Sequence, residues 1–210
     1  MNPLMKKNVA GILVDGINRV VAAGMVMEAA QQSRGLAVST IAVHGVMTGV
    51  LDPIHRFRLN HLDLVVADGQ PVRWALNLLH DVGLRERVYG PCLTVEVLKR
   101  AVPEQIPVFF YVSTRFVLEV WAYEFRDRLS VPILAVGAAF PFLAGTLRQA
   151  PQWMQDSGLE WLFRLCVEPR RLWCRYLLLS PAYILLMLCQ WLGFKFCIDG
   201  EEPLSEILYG

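Results

Sequence analysis

Short apolar runs alternate with segments of mixed polarity along the first two thirds of the chain. The runs are rich in β-branched and aromatic residues, which is typical of buried strands, whereas the segments between them favour helix. The apolar runs lie at 9–14, 36–43, 62–67, 107–112 and 131–136. The predicted helices lie at 20–32, 53–62, 71–80, 93–101 and 114–129. This alternation predicts an α/β fold, a Rossmann-like and mostly parallel sheet with helices on both faces.

The pattern changes near residue 148. The segment that follows is rich in tryptophan, and its residues predict a helix near 158–168 and a second one from about 170. A long apolar run then extends over 176–198, with Lys195 as its only charged residue. We therefore expect an α/β core at 1–148 and a helical C-terminal appendage at 149–210.

The apolar run has two interpretations. It is long enough to cross a bilayer, for which about 20 apolar residues suffice. Pro181, Gln190 and Gly193 weaken a single spanning helix without excluding it. The alternative is a buried helical hairpin that covers the sheet. Aromatic residues within the run and arginines before it favour membrane association, either spanning the bilayer or lying in its surface.

The overall composition narrows the class of protein. Hydrophobic residues make up 55% of the chain and charged residues 19%, against roughly 25% charged in soluble domains. The net charge of +1 gives no reason to expect a nucleic-acid partner. The five cysteines include no C-x-x-C pair, so we expect neither a zinc site nor a disulfide framework, and a reducing compartment is the simplest interpretation.

Asp68 is the first candidate for chemistry. It follows a predicted strand and precedes a glycine and a helix, which places it at the carboxyl edge where open α/β sheets bind ligands. A carboxylate there can act as a general base towards a hydroxyl group. The alternative is that Asp68 only caps the helix that follows it.

Three further residues are candidates for substrate binding. His44 ends a predicted strand and Thr48 follows closely, so both fall near the same edge, although a lone histidine there is more often structural. Arg87 lies between two predicted helices and could bind a phosphate through a bidentate contact. The alternative for Arg87 is an ordinary ion pair with Glu86 or Asp81. His80 and Asp81 resemble a metal dyad, but no other ligands accompany them and we assign no metal site.

A positive cluster precedes the apolar run. It consists of Arg164, Arg170, Arg171 and Arg175. Such a cluster suits anionic lipid headgroups or a diphosphate. The alternative is a solvated helix face, in which Glu160 and Glu168 neutralise part of the charge as helical ion pairs.

Several motifs together resemble a known family. In chain order they are VHGVMTG, ADGQPVRWA, ERVYGP, VGAAF, GLEWLFRL and EPRRLW. The resemblance extends from about residue 9 to 176 and is to the WecG/TagA/CpsF glycosyltransferases, glycosyltransferase family 26. It implies transfer of a sugar from a UDP-sugar to a polyprenyl-diphosphate-linked acceptor during synthesis of bacterial cell-surface polysaccharide, with inversion at the anomeric carbon.

The resemblance also assigns roles to residues. Asp68 matches the family's proposed general base, Arg87 matches an arginine of the active-site pocket, and Arg164 with Arg171 match arginines of a C-terminal appendage that holds the lipid diphosphate. His44 and Thr48 fall in a segment beside the site, where the match is loose. No cofactor and no metal are expected.

The implied surroundings follow from the same resemblance. The expected partners are the polyprenyl-diphosphate glycolipid and the membrane surface, with a homo-oligomer left open. The expected location is the cytoplasmic face of the bacterial inner membrane, either peripheral or single-pass through 176–198.

Three departures from the family pattern favour a second hypothesis. Cys92 and Pro141 stand where family members usually have aspartates. At the junction of residues 130 and 131, a stretch of sheet and helix with a Gly-Leu-Gly-x-Pro-Lys-Gln-Glu motif is missing. The alternative function is therefore a catalytically impaired or inactive remnant that acts as a membrane-associated binding protein.

Overall fold

The computed structural model describes residues 6–108, 123, 131–136 and 148–203. Within them, five strands form one mixed sheet in the order β1-β2-β4-β3-β5. The strands are β1 (Lys6–Val9), β2 (Ile12–Asp15), β3 (Leu36–Ile41), β4 (Leu64–Ala67) and β5 (Pro132–Ala135). All neighbours are parallel except β1 and β2. The predicted α/β class with a mostly parallel sheet is confirmed.

The predicted strand at 9–14 is wrong in its detail. The segment is a hairpin, in which Ala10 and Gly11 both adopt positive φ, 51° and 90°, between β1 and β2. Two central residues at positive φ give the type I′ turn that matches the twist of a two-residue hairpin. The apolar pattern continues through the turn because Ala10 is buried against the core, so the hydrophobicity of the segment does not reveal the reversal.

Helices cover both faces of the sheet. They are α1 (Arg19–Gln31), α2 (Val43–Leu51), α3 (Pro53–Asn60), α4 (Gln70–His80) and α5 (Gly90–Ala101). Helices α1 and α5 pack on one face, where Ala22, Val26 and Leu93 are buried against strands β3 and β4. Helices α2 and α4 bury side chains such as Val46 and Leu76 on the other face. This two-sided burial explains why β3 and β4 are continuous apolar runs.

The predicted elements agree with most of these helices. Helix α2 is the exception, since the residues from Val43 onward were expected to end a strand and instead begin a helix. The predicted strand at 107–112, apart from its first two residues, and the predicted helix at 114–129, apart from residue 123, lie outside the described residues, as does the junction of residues 130 and 131.

Helical segments follow one another in the C-terminal part. They are α6 (Gln152–Asp156), α7 (Glu160–Val167), α8 (Pro169–Cys174), a π-helical turn (Arg175–Leu179) and α9 (Ser180–Trp191). The apolar segment 176–198 therefore does not form one continuous α-helix. Among the described residues, every helix is too short or too polar to cross a membrane.

Helix α9 packs on the core with one side only. Tyr183 and Met187 are buried beside helices α2 and α4, and the Tyr183 hydroxyl donates to the Pro71 carbonyl at 3.2 Å. The Gln190 amide accepts from the Ala10 N–H and donates to the Asn8 carbonyl, at 2.9 and 2.8 Å. The opposite side exposes large apolar side chains, namely Ile184, Leu185, Leu188 and Trp191. The segment thus covers the core, as the hairpin alternative requires, while keeping an apolar outer face.

Candidate functional site at the carboxyl edge of the sheet

Asp68 lies at the carboxyl end of β4, as the sequence predicts. Its backbone N–H donates to the Ile41 carbonyl at 2.8 Å, which fixes it beside the end of the neighbouring strand β3. Its side-chain Oδ1 accepts from the Gly90 N–H at 3.0 Å. The helix that directly follows, α4, begins after Gly69 without a side-chain cap. The carboxylate thus binds the first turn of α5, a contact that the interpretation of Asp68 as only a cap of α4 does not explain.

Gly90 packs closely against the strand ends, and this makes its hydrogen bond to Asp68 possible. A Cβ atom at residue 90 would lie 3.2 Å from the Thr40 hydroxyl oxygen and 3.3 Å from the Val136 carbonyl oxygen. Both distances are tight, so a side chain here would push the start of α5 away from the strand ends. Glycine thus lets α5 begin directly against the carboxyl edge, where its first N–H orients Asp68.

Arg87 is held by residues of the C-terminal part. Its Nη1 is 2.7 Å from Glu160 Oε2, and its Nη2 donates to Gln155 Oε1 at 3.1 Å. The guanidinium carbon lies 4.3 Å from the centre of the Tyr89 ring, a cation–π contact. Arg87 thus forms its ion pair with Glu160, and not with Glu86 or Asp81 as the alternative interpretation of the sequence expected.

Arg164 meets the other oxygen of the same carboxylate. Its Nη2 is 2.7 Å from Glu160 Oε1, so the helical ion pair expected from the sequence is present. Burial acts to lower the pKa of Arg164, but Glu160, Tyr176, Tyr89 and Asp68 outweigh it and raise that pKa above its usual value. Arg164 therefore stays cationic and lies within electrostatic range of Asp68.

Tyr89 interacts electrostatically with these charged groups. Burial raises the pKa of its phenol to about 12, with Glu160 and Asp68 acting in the same direction and Arg164 and Arg87 against it. Tyr89 directly precedes Gly90, whose N–H binds Asp68, and the Arg87 guanidinium lies over the Tyr89 ring. The structure thus links Asp68, Arg87 and Arg164 into one cluster through Tyr89 and Glu160.

A cleft opens next to Arg87, with a volume of about 750 Å³. Its basic lining residues are Arg19, Arg73, Arg85, Arg87 and Lys99, and its acidic ones are Glu86, Glu96 and Asp156. The excess of positive charge suits an anionic ligand. Tyr89 and Arg87 line this cleft, and Asp68 does not.

The other predicted site residues contribute less to this cluster. His44 is exposed in the first turn of α2 and does not end a strand, so the expected position at the strand terminus is wrong. The Thr48 hydroxyl donates to the His44 carbonyl at 2.9 Å, a bond within the helix. Arg171 belongs to α8, and its side chain lies outside the described residues.

Asp15 is a charged residue at the sheet edge that the sequence analysis missed. It ends β2 opposite Val66, is fully buried, and accepts from the Val65 N–H at 2.8 Å. Burial raises the pKa of Asp15 to about 6, against the opposing effects of that hydrogen bond and of Lys6. An Asp-Gly dipeptide occurs at the end of both β2 and β4, a signal that identifies both carboxylates without distinguishing their roles.

Metal-ligating side chains do not gather in the described ranges, where no group of three or more His, Cys, Asp or Glu residues could hold an ion. The positive charge of the site comes from arginines. The chemistry available to these residues is therefore proton acceptance by a carboxylate beside guanidinium groups that bind anions.

The chain matches the model of a known protein family. The family model described as "Glycosyl transferase WecG/TagA/CpsF family" matches residues 7–120 and 117–196. No individually curated protein matches the chain. The family match falls into two pieces that meet at 117–120, and together they cover both the core around Asp68 and the helices that carry Glu160 and Arg164.

Proposed function

Since the chain belongs to the WecG/TagA/CpsF family of glycosyltransferases, we propose that it transfers a sugar from a UDP-sugar to a polyprenyl-diphosphate-linked acceptor. The product would be an intermediate of bacterial cell-surface polysaccharide. The observation that carries this proposal is that one carboxylate, Glu160, joins an arginine of the core to an arginine of the appendage within electrostatic range of Asp68.

Asp68 would act as the general base. Its carboxylate would take the proton of the acceptor hydroxyl while the hydroxyl oxygen forms a bond to the anomeric carbon of the donor sugar. The bond from that carbon to the UDP oxygen breaks, and UDP leaves with the electron pair. Attack opposite the leaving group inverts the anomeric carbon. The Gly90 N–H at 3.0 Å supports this role because it fixes one carboxylate oxygen.

Arg87, Arg164 and Arg171 would bind the diphosphate of the acceptor. Guanidinium groups match phosphate oxygens bidentately and stay charged at any physiological pH. The first two already lie on opposite oxygens of one carboxylate, which is the spacing at which two arginines share a single anionic group. These arginines would also neutralise charge during transfer, so we expect no metal cofactor.

The apolar outer side of α9 and of the turn before it would rest on the membrane. Leu177, Leu178, Leu185 and Trp191 are each more than half exposed, an arrangement that costs free energy in water and gains it at a lipid surface. On this proposal the enzyme would lie peripherally on the cytoplasmic face, where a lipid-linked acceptor would present its diphosphate at the headgroup level.

The test is transfer of labelled sugar from a panel of UDP-sugars to a polyprenyl-diphosphate glycolipid in vesicles. We expect Asp68→Asn to reduce the rate at least about 100-fold, since the amide cannot accept the proton. Asp81→Asn is the matched control, because Asp81 is exposed in a left-handed conformation that asparagine tolerates. Absence of transfer by folded wild-type protein with every donor would overturn the proposal.

A second candidate is a binding protein without catalysis. The family match in two pieces favours it. So does the section that the resemblance to the family implies is missing near residue 130, since groups expected at the donor site would be lost with it. It predicts sedimentation with vesicles but no thermal stabilisation by UDP. A clear rise in unfolding temperature with UDP would exclude this candidate.

A further inference from the structure

Glu160 has a position that the proposed reaction does not explain. Each of its two oxygens is 2.7 Å from a different arginine, Arg87 of the core and Arg164 of its own helix. The side chains of Arg87 and Glu160 are only 12% and 13% exposed. This carboxylate therefore occupies, within the protein itself, the point between two guanidinium groups where an anionic ligand would bind.

We propose that Glu160 is a resident anion that a diphosphate displaces, and that it sets the selectivity of the arginine pair for diphosphate over monophosphate. The proposal rests on the proposed function in one respect, namely that the diphosphate is the one carried by the lipid-linked acceptor. The exchange itself requires no sugar transfer.

Charge decides which ligands can replace Glu160. Two largely buried arginine side chains, 12% and 32% exposed, are costly to leave without an anion, because an unpaired buried charge is unfavourable. A tethered carboxylate has the advantage of a high effective concentration. A ligand with only slightly more negative charge than Glu160, such as inorganic phosphate, gains little by replacing it, whereas a diphosphate brings more charge and more acceptor oxygens to the same two guanidinium groups.

Helix α7 can give way to such a ligand. Within the described residues, α7 buries no side chain completely, so its movement exposes little apolar surface. Arg87 keeps a neutral partner during the exchange, since Gln155 belongs to α6. The turn before α7 contains Gly158, whose φ of 74° sets the direction in which α7 leaves α6. The exchange requires the release of both ion pairs of Glu160.

The experiment measures binding of inorganic pyrophosphate and inorganic phosphate to the full chain by calorimetry at fixed ionic strength. Wild-type protein should bind pyrophosphate more tightly than phosphate. In Glu160→Gln, both ligands should bind about tenfold tighter or more, because the competing charge is gone, and phosphate should gain the most. Glu160→Asp, which keeps the charge, should stay close to wild type.

Glu202→Gln is the control, since Glu202 is exposed and its replacement changes the net charge equally. Unchanged or weaker binding in Glu160→Gln would overturn the proposal, as would equal affinity of the wild type for the two ligands. If the variant fails to fold, hydrogen exchange of wild-type residues 160–167 decides. Pyrophosphate should increase their exchange and phosphate should not, and no response to pyrophosphate overturns the proposal.

The two proposals fail separately. If the protein transfers no sugar but shows the expected selectivity for pyrophosphate, only the catalytic proposal is overturned, and the proposed exchange at Glu160 stands. If the protein transfers sugar but Glu160→Gln binds pyrophosphate no better than wild type, the proposed exchange is overturned and the catalytic proposal stands.

Discussion

Helices α7 and α9 are both attached to the α/β core, but by different interactions. Helix α7 has no fully buried side chain and is attached through Glu160, whose carboxylate joins it to Arg87 of the core. Helix α9 buries Tyr183 and Met187 among the core residues and adds the hydrogen bonds of Gln190. The first attachment is electrostatic, and the second is mostly apolar.

This difference indicates different functions for the two helices. An ion pair can be exchanged against another anion at little cost, whereas an apolar contact of this kind is lost only with the fold. Helix α9 is thus a permanent part of the core that presents an apolar face outward. Helix α7 is the part that a charged ligand can move.

Removing the Tyr183 side chain should have the largest effect. Tyr183 is 2% exposed, so Tyr183→Ala leaves a cavity and should lower the free energy of unfolding by about 3–5 kcal/mol. Leu185→Ala, at a position that is 62% exposed, should change it by less than about 0.5 kcal/mol. Urea denaturation measures both, and equal effects would contradict the one-sided packing of α9.

Charging the outer face of α9 should have the next largest effect. The double variant Leu185→Lys and Leu188→Lys should bind vesicles at least about tenfold more weakly, because two exposed leucines no longer enter the lipid surface. Val20→Lys with Val102→Lys adds the same charge on the face covered by α1 and α5. Vesicle sedimentation that is reduced equally in both would rule out α9 as the membrane-binding face.

Salt should have the smallest effect and should act on α7 alone. Raising the salt concentration from about 0.1 M to about 1 M screens partly exposed ion pairs and should weaken the α7 attachment by up to about 1 kcal/mol. Hydrogen exchange should then increase across residues 160–167 and stay constant across 180–191. An increase in both segments would show that the two helices are released together.

The sequence predicted the core elements well because their signals are local. The alternation of apolar strands and helices identified β3, β4 and α4, and the strand-end aspartate identified Asp68. The sequence did not predict the hairpin at Ala10, because a buried alanine at positive φ leaves no break in the apolar pattern. Helix α2 was not predicted, because its apolar residues continue directly from those of β3.

The candidate site was predictable only in part, since its contacts join distant residues. The pairing of Glu160 with Arg164 follows from their spacing in one helix, and it was expected. The pairing of Glu160 with Arg87 depends on how the appendage folds back, which no local spacing encodes. The hydrogen bonds of Gln190 to the first hairpin have the same origin.

Residues outside α7 determine where this helix lies. A Cβ atom at Gly158 would come within 2.5 Å of the Trp74 ring, and the positive φ at this residue disfavours any side chain. The helix itself buries nothing completely, so most of its positions could vary over evolution without loss of stability. Gly158 could not vary while Trp74 stays in place, so the orientation of Glu160 towards Arg87 depends on a glycine that lies outside the helix.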